Sequence, residues 1–332
     1  MEDFVSVSRL TKKYGDLVAV DNLSFTVRKG EVFGFLGPNG AGKTTTLNVI
    51  STLSDFDRGE VSVAGYDIQK DEFKIKGILG VVPQEIALYQ NLSAAENVAL
   101  FASLYGLRGA ALKKAVSEAL EFVGLTDERK KRAGKLSGGQ QRRLNIACGI
   151  AHRPELIIMD EPTVGVDARS RDHILGSIKI LRDEGATIVY TSHYMPEVQD
   201  IADRIAIIDK GRLAAIGTKR ELLKLVTDRK SIMIGVDGRS VTDIETVVAD
   251  IRMLGGVKLA RHDPERDQIM IDIDLASSNI SPILKTIMDR DVTIREVTEE
   301  ALSLETTFLA LTGTDLRADG TVFGSGEDAP NV

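Results

Sequence analysis

The sequence predicts an α/β protein, in which a domain built on a mainly parallel sheet is followed by a smaller α+β domain. Three observations predict it. Short apolar runs, Leu156–Met159, Thr187–Thr191 and Ile205–Asp209, alternate with helical stretches, the pattern of parallel strands joined by crossover helices. The apolar run Val32–Leu36 passes through a glycine-rich turn into Thr45-Thr46-Leu47-Asn48-Val49-Ile50, which reads as the start of a helix. Near Asp228–Lys230 the alternation of strand and helix begins afresh.

Taken in order, Phe4–Leu10, Leu23–Val27, Val32–Leu36 and Val61–Val63 read as short strands separated by turn signals such as Lys29-Gly30 and Arg58-Gly59. A helix-rich stretch runs from about Ser93 to Gly124, and the three alternating strands follow it. Lys210-Gly211 turns into Arg212–Ile216 as a final hairpin. In the second domain Ile232, Ile234 and Val236 alternate as a strand, and Ile244, Val247, Val248, Ile251 and Leu254 share a helical face. Val257–Ala260 and the alternating Ile269, Ile271 and Ile273 are strands, and Val292–Val297 is the last. Ser281-Pro282 reads as a helix start, with serine as N-cap and proline at the first helical position. The order β-α-β-β-α-β suggests a ferredoxin-like domain, followed by a helix at about Leu302–Leu311. The expected boundaries are 1–228, 229–313 and a disordered, apolar-poor tail at 314–332.

Composition narrows the function classes. The 332 residues are 43% hydrophobic and 27% charged, ordinary for a globular chain. The single cysteine, Cys148, excludes an intrachain disulfide and fits a reducing compartment; its apolar surroundings make it a core residue rather than a reactive thiol. The net charge is −7, with the acidic excess beyond residue 229, which argues against nucleic acid as the main partner. No apolar run approaches the ~20 residues that span a bilayer, and the acidic N-terminus lacks a signal pattern. The expectation is a cytoplasmic chain, held at a membrane only through a partner.

The chemistry starts at Gly37-Pro38-Asn39-Gly40-Ala41-Gly42-Lys43-Thr44, which matches the phosphate-binding pattern G-x-x-x-x-G-K-S/T between a strand and a helix. Glycines let backbone N–H groups face one point, and the helix N-terminus adds partial positive charge there. Lys43 can reach the β- and γ-phosphates, and the Thr44 hydroxyl can ligate Mg²⁺. The strand Leu156–Met159 then delivers Asp160 and Glu161 to the sheet edge where ligands sit. Asp160 can hold Mg²⁺ through water, and Glu161 is the candidate general base. Leu136-Ser137-Gly138-Gly139-Gln140 precedes a further helix start, so the Ser137 hydroxyl and the Gly139 N–H offer a second anion site.

With these residues in order, the chain resembles the nucleotide-binding subunit of an ATP-binding cassette (ABC) transporter across roughly residues 4–225, and Leu136–Gln140 is identical to the family's signature string. The resemblance implies a P-loop NTPase cassette with a mainly parallel sheet core, an antiparallel β subdomain and a helical subdomain. It carries roles onto further positions. Gln84, in Val81-Val82-Pro83-Gln84, would contact Mg²⁺ and the attacking water, although alone it reads as a surface turn. His193, at the end of an apolar strand, would contact the γ-phosphate, and it is no metal ligand because no second His or Cys has matching spacing. Pro162–Asp167 resembles the loop that crosses a dimer interface, with Val166 where leucine is commoner. Tyr14 would stack on adenine, although as an isolated residue it reads as an exposed strand tyrosine. Nucleotide contacts are thus implied for Tyr14, Gly37 through Thr45 (Pro38, Asn39, Gly40, Ala41, Gly42, Lys43 and Thr44 between them), Ser137, Gly138, Gly139, Gln140 and Asp167.

The same resemblance implies a head-to-tail homodimer, with each ATP between Lys43 of one chain and Ser137 of the other, and a separate membrane-spanning permease. The segments Gln90–Asn97, Leu104–Leu107 and Ser303–Gly313 resemble the exporter branch of daunorubicin-type drug, polysaccharide and sodium extruders. An importer ATPase is the first alternative, disfavoured by the shortness of the C-terminal extension. A soluble ABC ATPase of translation or DNA repair is the second. It is disfavoured because the chain has no second cassette, coiled coil or zinc site. No N-K-x-D string points to guanine.

Overall fold

In the computed structural model, residues 2–225, 229–237, 244–264, 267–274, 280–300 and 304–312 are described. They form two units, one over residues up to Thr218 and one beginning at Lys219. The tail 314–332, together with Ser303 and Gly313 of the C-terminal string, lies outside the described residues.

The first unit contains two sheets and a group of helices. Strands β1 (Asp3–Tyr14), β2 (Leu17–Arg28), β3 (Val32–Leu36), β4 (Arg58–Val63), β5 (Tyr66–Asp67), β6 (Leu79–Val82), β7 (Leu156–Asp160), β8 (Thr187–Ser192), β9 (Arg204–Asp209) and β10 (Arg212–Gly217) divide between them. The larger sheet runs β10-β9-β3-β8-β7-β6 and is parallel throughout except for the β9–β10 hairpin. The smaller runs β2-β1-β4-β5 and is antiparallel. Every residue of β3, β7 and β8 is buried. That explains why β3, and β7 up to Asp160, read as near-continuous apolar runs, since a parallel strand is covered on both faces. Side chains of the two sheets and of helix α1 (Lys43–Ile50) share one core, which includes Val5, Phe25, Phe33, Phe35, Leu47 and Ile50. The Phe25 and Phe33 rings stack with centroids 5.5 Å apart. Each such side chain contributes roughly 1.5–3 kcal/mol by leaving water.

The remaining helices are α2 (Glu72–Ile78), α3 (Ala94–Leu104), α4 (Gly109–Phe122), α5 (Gly138–Ile150), α6 (Ala168–Asp183) and α7 (Met195–Ile201). Of these, α3, α4 and α5 pack on one another as the helical part. Helix α3 starts where a capping box says it should, with Ser93 Oγ accepting from the Glu96 N–H and Glu96 Oε2 accepting from the Ser93 N–H.

The second unit contains α8 (Lys219–Lys224), β11 (Arg229–Val236), α9 (Ile244–Arg252), β12 (Val257–Asp263), β13 (Gln268–Asp274), α10 (Ser281–Met288), β14 (Ile294–Glu300) and α11 (Leu304–Thr312). Its sheet runs β12-β13-β11-β14 with every neighbouring pair antiparallel, the split β-α-β arrangement the element order suggested. Ile232, Ile234, Val248, Ile251, Ile271 and Ile283 lie in its separate core.

Three local features differ from the sequence reading. Strands β1 and β2 extend well past the expected Leu10 and Leu23 because the polar stretch Lys12–Tyr14 pairs with Leu17–Val20. Register shifts there, and Arg9 and Asn22 at positive φ, break the alternation that would have advertised them. Strand β6 and helices α2 and α8, of four, seven and six residues, are too short for a periodic pattern to announce them. Ser281 is the first residue of α10 rather than its cap, because Ile280 already has a near-helical backbone (φ −82°, ψ −9°).

Candidate functional site

Strand β3 ends at Leu36 and the chain curls through Gly37–Gly42 into α1. Gly42 caps that helix with φ 96°, and a Cβ there would lie 2.6 Å from the Ala19 carbonyl oxygen. Only glycine satisfies both constraints. The turn opens onto a cleft of about 550 Å³. Tyr14, Asn39, Gly40, Ala41, Gly42, Lys43, Thr44, Thr45, Gln84 and Glu161 line it. Gly37 and Pro38 are buried beneath, where their carbonyls accept from Lys43 Nζ at 2.7 and 3.1 Å. Lys43 is itself 5% exposed, and its Nζ lies 3.7 Å from Glu161 Oε1.

The carboxyl ends of β7 and β8 supply the opposite wall. Thr44 Oγ1 donates to Asp160 Oδ2 at 2.9 Å, and Thr191 Oγ1 donates to Asp160 Oδ1 at 2.6 Å. The same Thr191 hydroxyl accepts from the Glu161 N–H at 3.0 Å, which fixes the backbone of a residue held at φ 46°. Glu161 Oε2 lies 3.1 Å from His193 Nδ1 and accepts from Gln84 Nε2 at 3.5 Å. Burial pushes the Glu161 carboxyl upward, but the hydrogen bond and charge of His193, with the charge of Lys43, outweigh it and leave the group below the usual carboxylate value. The hydrogen bond to Glu161 raises His193 against the opposing effect of burial. An ionised carboxylate therefore faces a lysine and a helix N-terminus across the cleft. That arrangement suits a phosphate on one side and a water to be deprotonated on the other.

Helix α5 clamps the Gln84 segment. Arg142 Nη1 donates to the carbonyls of Pro83 and Gln84 at 3.2 and 2.5 Å, and Asn145 Oδ1 accepts from the Ala87 N–H at 3.3 Å. At the start of the same helix, Ser137 and Gln140 satisfy each other. Ser137 Oγ accepts from the Gln140 N–H at 3.3 Å, and Gln140 Oε1 accepts from the Ser137 N–H at 3.0 Å. Gly139 abuts the beginning of α6, where a Cβ would meet Ser170 Oγ at 2.5 Å and Asp167 Oδ2 at 3.2 Å. Asp167 caps α6 by accepting from the Ser170 N–H at 2.9 Å.

The structure thus brings Tyr14, 39–45, Gln84 and Glu161 to one cleft, with Asp160 and His193 joined to it through hydrogen bonds. Ser137, Gly138, Gly139, Gln140 and Asp167 are not among its lining residues. Sequence reasoning missed Leu17, Val18, Ala19 and Lys210, which also line the cleft, and Thr191, which organises its acidic pair. Lys210-Gly211 was legible as a turn. Its place beside the phosphate-binding loop, where the Gly211 N–H donates to the Ala41 carbonyl at 3.0 Å, was not.

Comparison with known proteins identifies the family. The family model described as ABC transporter matches residues 20–164. The chain is 41% identical to the linearmycin resistance ATP-binding protein LnrL of Bacillus subtilis (strain 168), over 94% of its own length and 99% of that protein. It is 34% identical to the doxorubicin resistance ATP-binding protein DrrA of Mycobacterium tuberculosis (strain ATCC 25618 / H37Rv), over 93% of each chain. Among solved structures, the dimeric bacterial ABC transporter cassette MJ0796 superposes with a TM-score of 0.60 at 29% identity, covering 64% of this chain and 98% of that one. The same cassette is known as a dimer in a post-hydrolysis state bound to ADP and Pi (TM-score 0.59). The chain belongs to the ABC transporter family, as one of its ATP-binding, ATP-hydrolysing subunits.

Proposed function

We propose that this subunit powers export of a substrate through a separate membrane-spanning permease, working as a head-to-tail pair of cassettes on the cytoplasmic face of the membrane. Among the described residues no helix is long and apolar enough to cross a membrane. The names of its relatives, which concern linearmycin and doxorubicin resistance and, in Sinorhizobium fredii, Nod factor export, support the exporter reading.

In the proposed cycle the loop 37–44, with Lys43, cradles the β- and γ-phosphates, and Tyr14 stacks on the adenine. Glu161 accepts the proton of the attacking water, while His193 holds Glu161 in place and contacts the γ-phosphate. The oxygen donors of Thr44, Asp160 and Gln84 suit Mg²⁺, a hard cation bound through one or two carboxylates and the substrate's phosphates. Among the described residues no group of three or more His, Cys, Asp or Glu forms a separate metal site. Bound there, Mg²⁺ would neutralise charge on the phosphates. Residues 1–228 act as the cassette and 229–313 as a regulatory or dimerisation domain.

The observation that carries this reading is the division of the site. The cleft has a phosphate loop, a cation and an ionised carboxylate, yet none of its lining residues comes from 137–140. A second copy presenting Ser137, Gly138, Gly139, Gln140 and Asp167 completes it, with the γ-phosphate between the halves. ATP then binds the closed pair more tightly than the open one, and loss of the γ-phosphate opens it. The test is Glu161→Gln. It should bind ATP, lose about a hundredfold or more in turnover as a missing general base does, and run as a dimer in ATP but a monomer in ADP. A variant that stays monomeric in saturating ATP rules out the shared site.

A further inference from the structure

Behind the cleft, four segments meet on one carboxylate that this mechanism does not use. Glu197, on α7, is 3% exposed. Its Oε2 accepts from Thr163 Oγ1 at 2.6 Å, from the Tyr190 hydroxyl at 2.7 Å and from Ser192 Oγ at 3.2 Å. Its Oε1 lies 3.1 Å from Arg171 Nε, an ion pair outside hydrogen-bond geometry. Thr163 belongs to the loop 162–167, Arg171 to the first turn of α6 just after Asp167, and Tyr190 and Ser192 to β8. Two of the groups involved bracket His193. Ser192 precedes it, and Tyr194 follows it, with its N–H donating to Ser192 Oγ at 2.9 Å and its ring under the Arg171 guanidinium at 5.4 Å. Burial, with Glu197 beside it, pushes the Tyr190 hydroxyl well above its ordinary value, so it stays a donor.

A carboxylate removed from water is costly unless its charge is compensated and hydrogen-bonded. Here three hydroxyls donate to Oε2, while the Arg171 guanidinium lies beside Oε1 as a counter-charge. Because the donors come from separate segments, filling the oxygens fixes those segments relative to one another. Polar networks of this kind have discrete arrangements rather than a continuum, so moving one member forces the others to re-pair. No residue of the network is among those lining the ATP cleft.

We propose that Glu197 is a positioning residue for hydrolysis. It ties the loop 162–167 to the His193 end of β8, so that engagement of that loop by a second cassette is felt at His193 and, through it, at Glu161. The inference rests on the proposed roles of Glu161, His193 and the loop.

The experiment is steady-state ATPase of the full chain with thermal unfolding alongside, for Glu197→Gln, Thr163→Val, their combination and Glu161→Gln. Glu197→Gln keeps the size of the side chain but replaces an acceptor oxygen by a donor. It should lower kcat by about tenfold or more while KM for ATP stays within about twofold, the loss expected when charge-assisted hydrogen bonds are broken. Thr163→Val removes only the loop's bond and should lower kcat by about threefold or more. The double variant should be no slower than Glu197→Gln, since both changes cut one connection. Unchanged kcat in Glu197→Gln, or losses that multiply in the double variant, overturns the proposal. If Glu197→Gln does not fold, unchanged kcat in Thr163→Val does so alone. A Glu161→Gln that turns over normally removes the catalytic assignment beneath the inference. A dead Glu161→Gln beside a normal Glu197→Gln removes the inference only.

Discussion

Thr191→Val isolates the hydroxyl that organises the acidic pair. Thr191 is fully buried, and its Oγ1 both donates to Asp160 Oδ1 at 2.6 Å and accepts from the Glu161 N–H at 3.0 Å. Valine preserves shape and strand preference but strands a buried N–H and removes one bond to a carboxylate. Losing a charge-assisted bond costs about 1.5–3 kcal/mol and orphaning a buried N–H about 1–3 kcal/mol, so a combined loss of about 3–5 kcal/mol is expected. At about 2–4 °C per kcal/mol for a unit of this size, Tm should fall by about 6–20 °C. The catalytic effect is separate. Glu161 sits at φ 46°, a conformation that a non-glycine residue holds only under constraint, and Thr191 is one of its constraints. Misplacing the carboxylate by a fraction of an ångström should cost about tenfold to a hundredfold in kcat. Scanning calorimetry and ATPase assays read the two effects, and Thr191→Ser, which keeps the hydroxyl, should recover most of both. Thr191→Val within about 1 °C and about twofold of the parent would refute the reasoning.

Further outcomes follow from the same geometry. The depressed Glu161 adds stability above the ordinary carboxylate value of 4.5 that is lost as pH falls through its lowered pKa, and the raised His193 adds stability below the ordinary imidazole value of 6.5 that is lost as pH rises through its raised pKa. The Tm gap between the parent and His193→Ala, measured in chelator, should therefore be widest between those two values and narrow as pH rises through the raised His193 value. Gly42→Ala places a Cβ 2.6 Å from the Ala19 carbonyl at φ 96°, so nucleotide titration should show at least about a tenfold weaker ATP affinity. Cys148 is buried and its thiol is pushed up to about 12, so a thiol reagent should label it only at the rate of unfolding. Labelling of the native protein within seconds would contradict that burial.

What the sequence made legible is whatever is local in the chain. Lys43 and Thr44 announce themselves because loop, cation and helix start are contiguous, and Asp160 and Glu161 because a fully buried strand must be apolar until it ends. The second unit was readable from alternating isoleucines, whose odd and even positions sort into core and surface across β11 and β13. Thr191, Lys210 and Glu197 were silent for the opposite reason. A threonine in a β-branched strand, a lysine in a hairpin turn and a glutamate in a helix each fit their local segment, and their significance arises from a neighbour 30 or more residues distant or from a cleft formed by other elements. The ends of β1 and β2 were obscured by strand irregularities rather than by distance.

The mutual capping of Ser137 and Gln140 bears on how such a machine lets go. The cap uses the Ser137 oxygen as an acceptor and the Ser137 and Gln140 N–H groups as donors, and Gln140 Nε2 donates to Glu128 at 2.9 Å. A phosphate arriving from another cassette therefore meets an already ordered turn, whose Ser137 O–H and Gly138 and Gly139 N–H groups take no part in the cap. On the proposed reading, docking exchanges water for phosphate at those donors, and the net gain per bond is modest. The grip then depends on the phosphate's charge rather than on the number of bonds. Once that charge leaves, the turn keeps its own cap and returns the donors to water, which makes release spontaneous and keeps an empty pair from sticking.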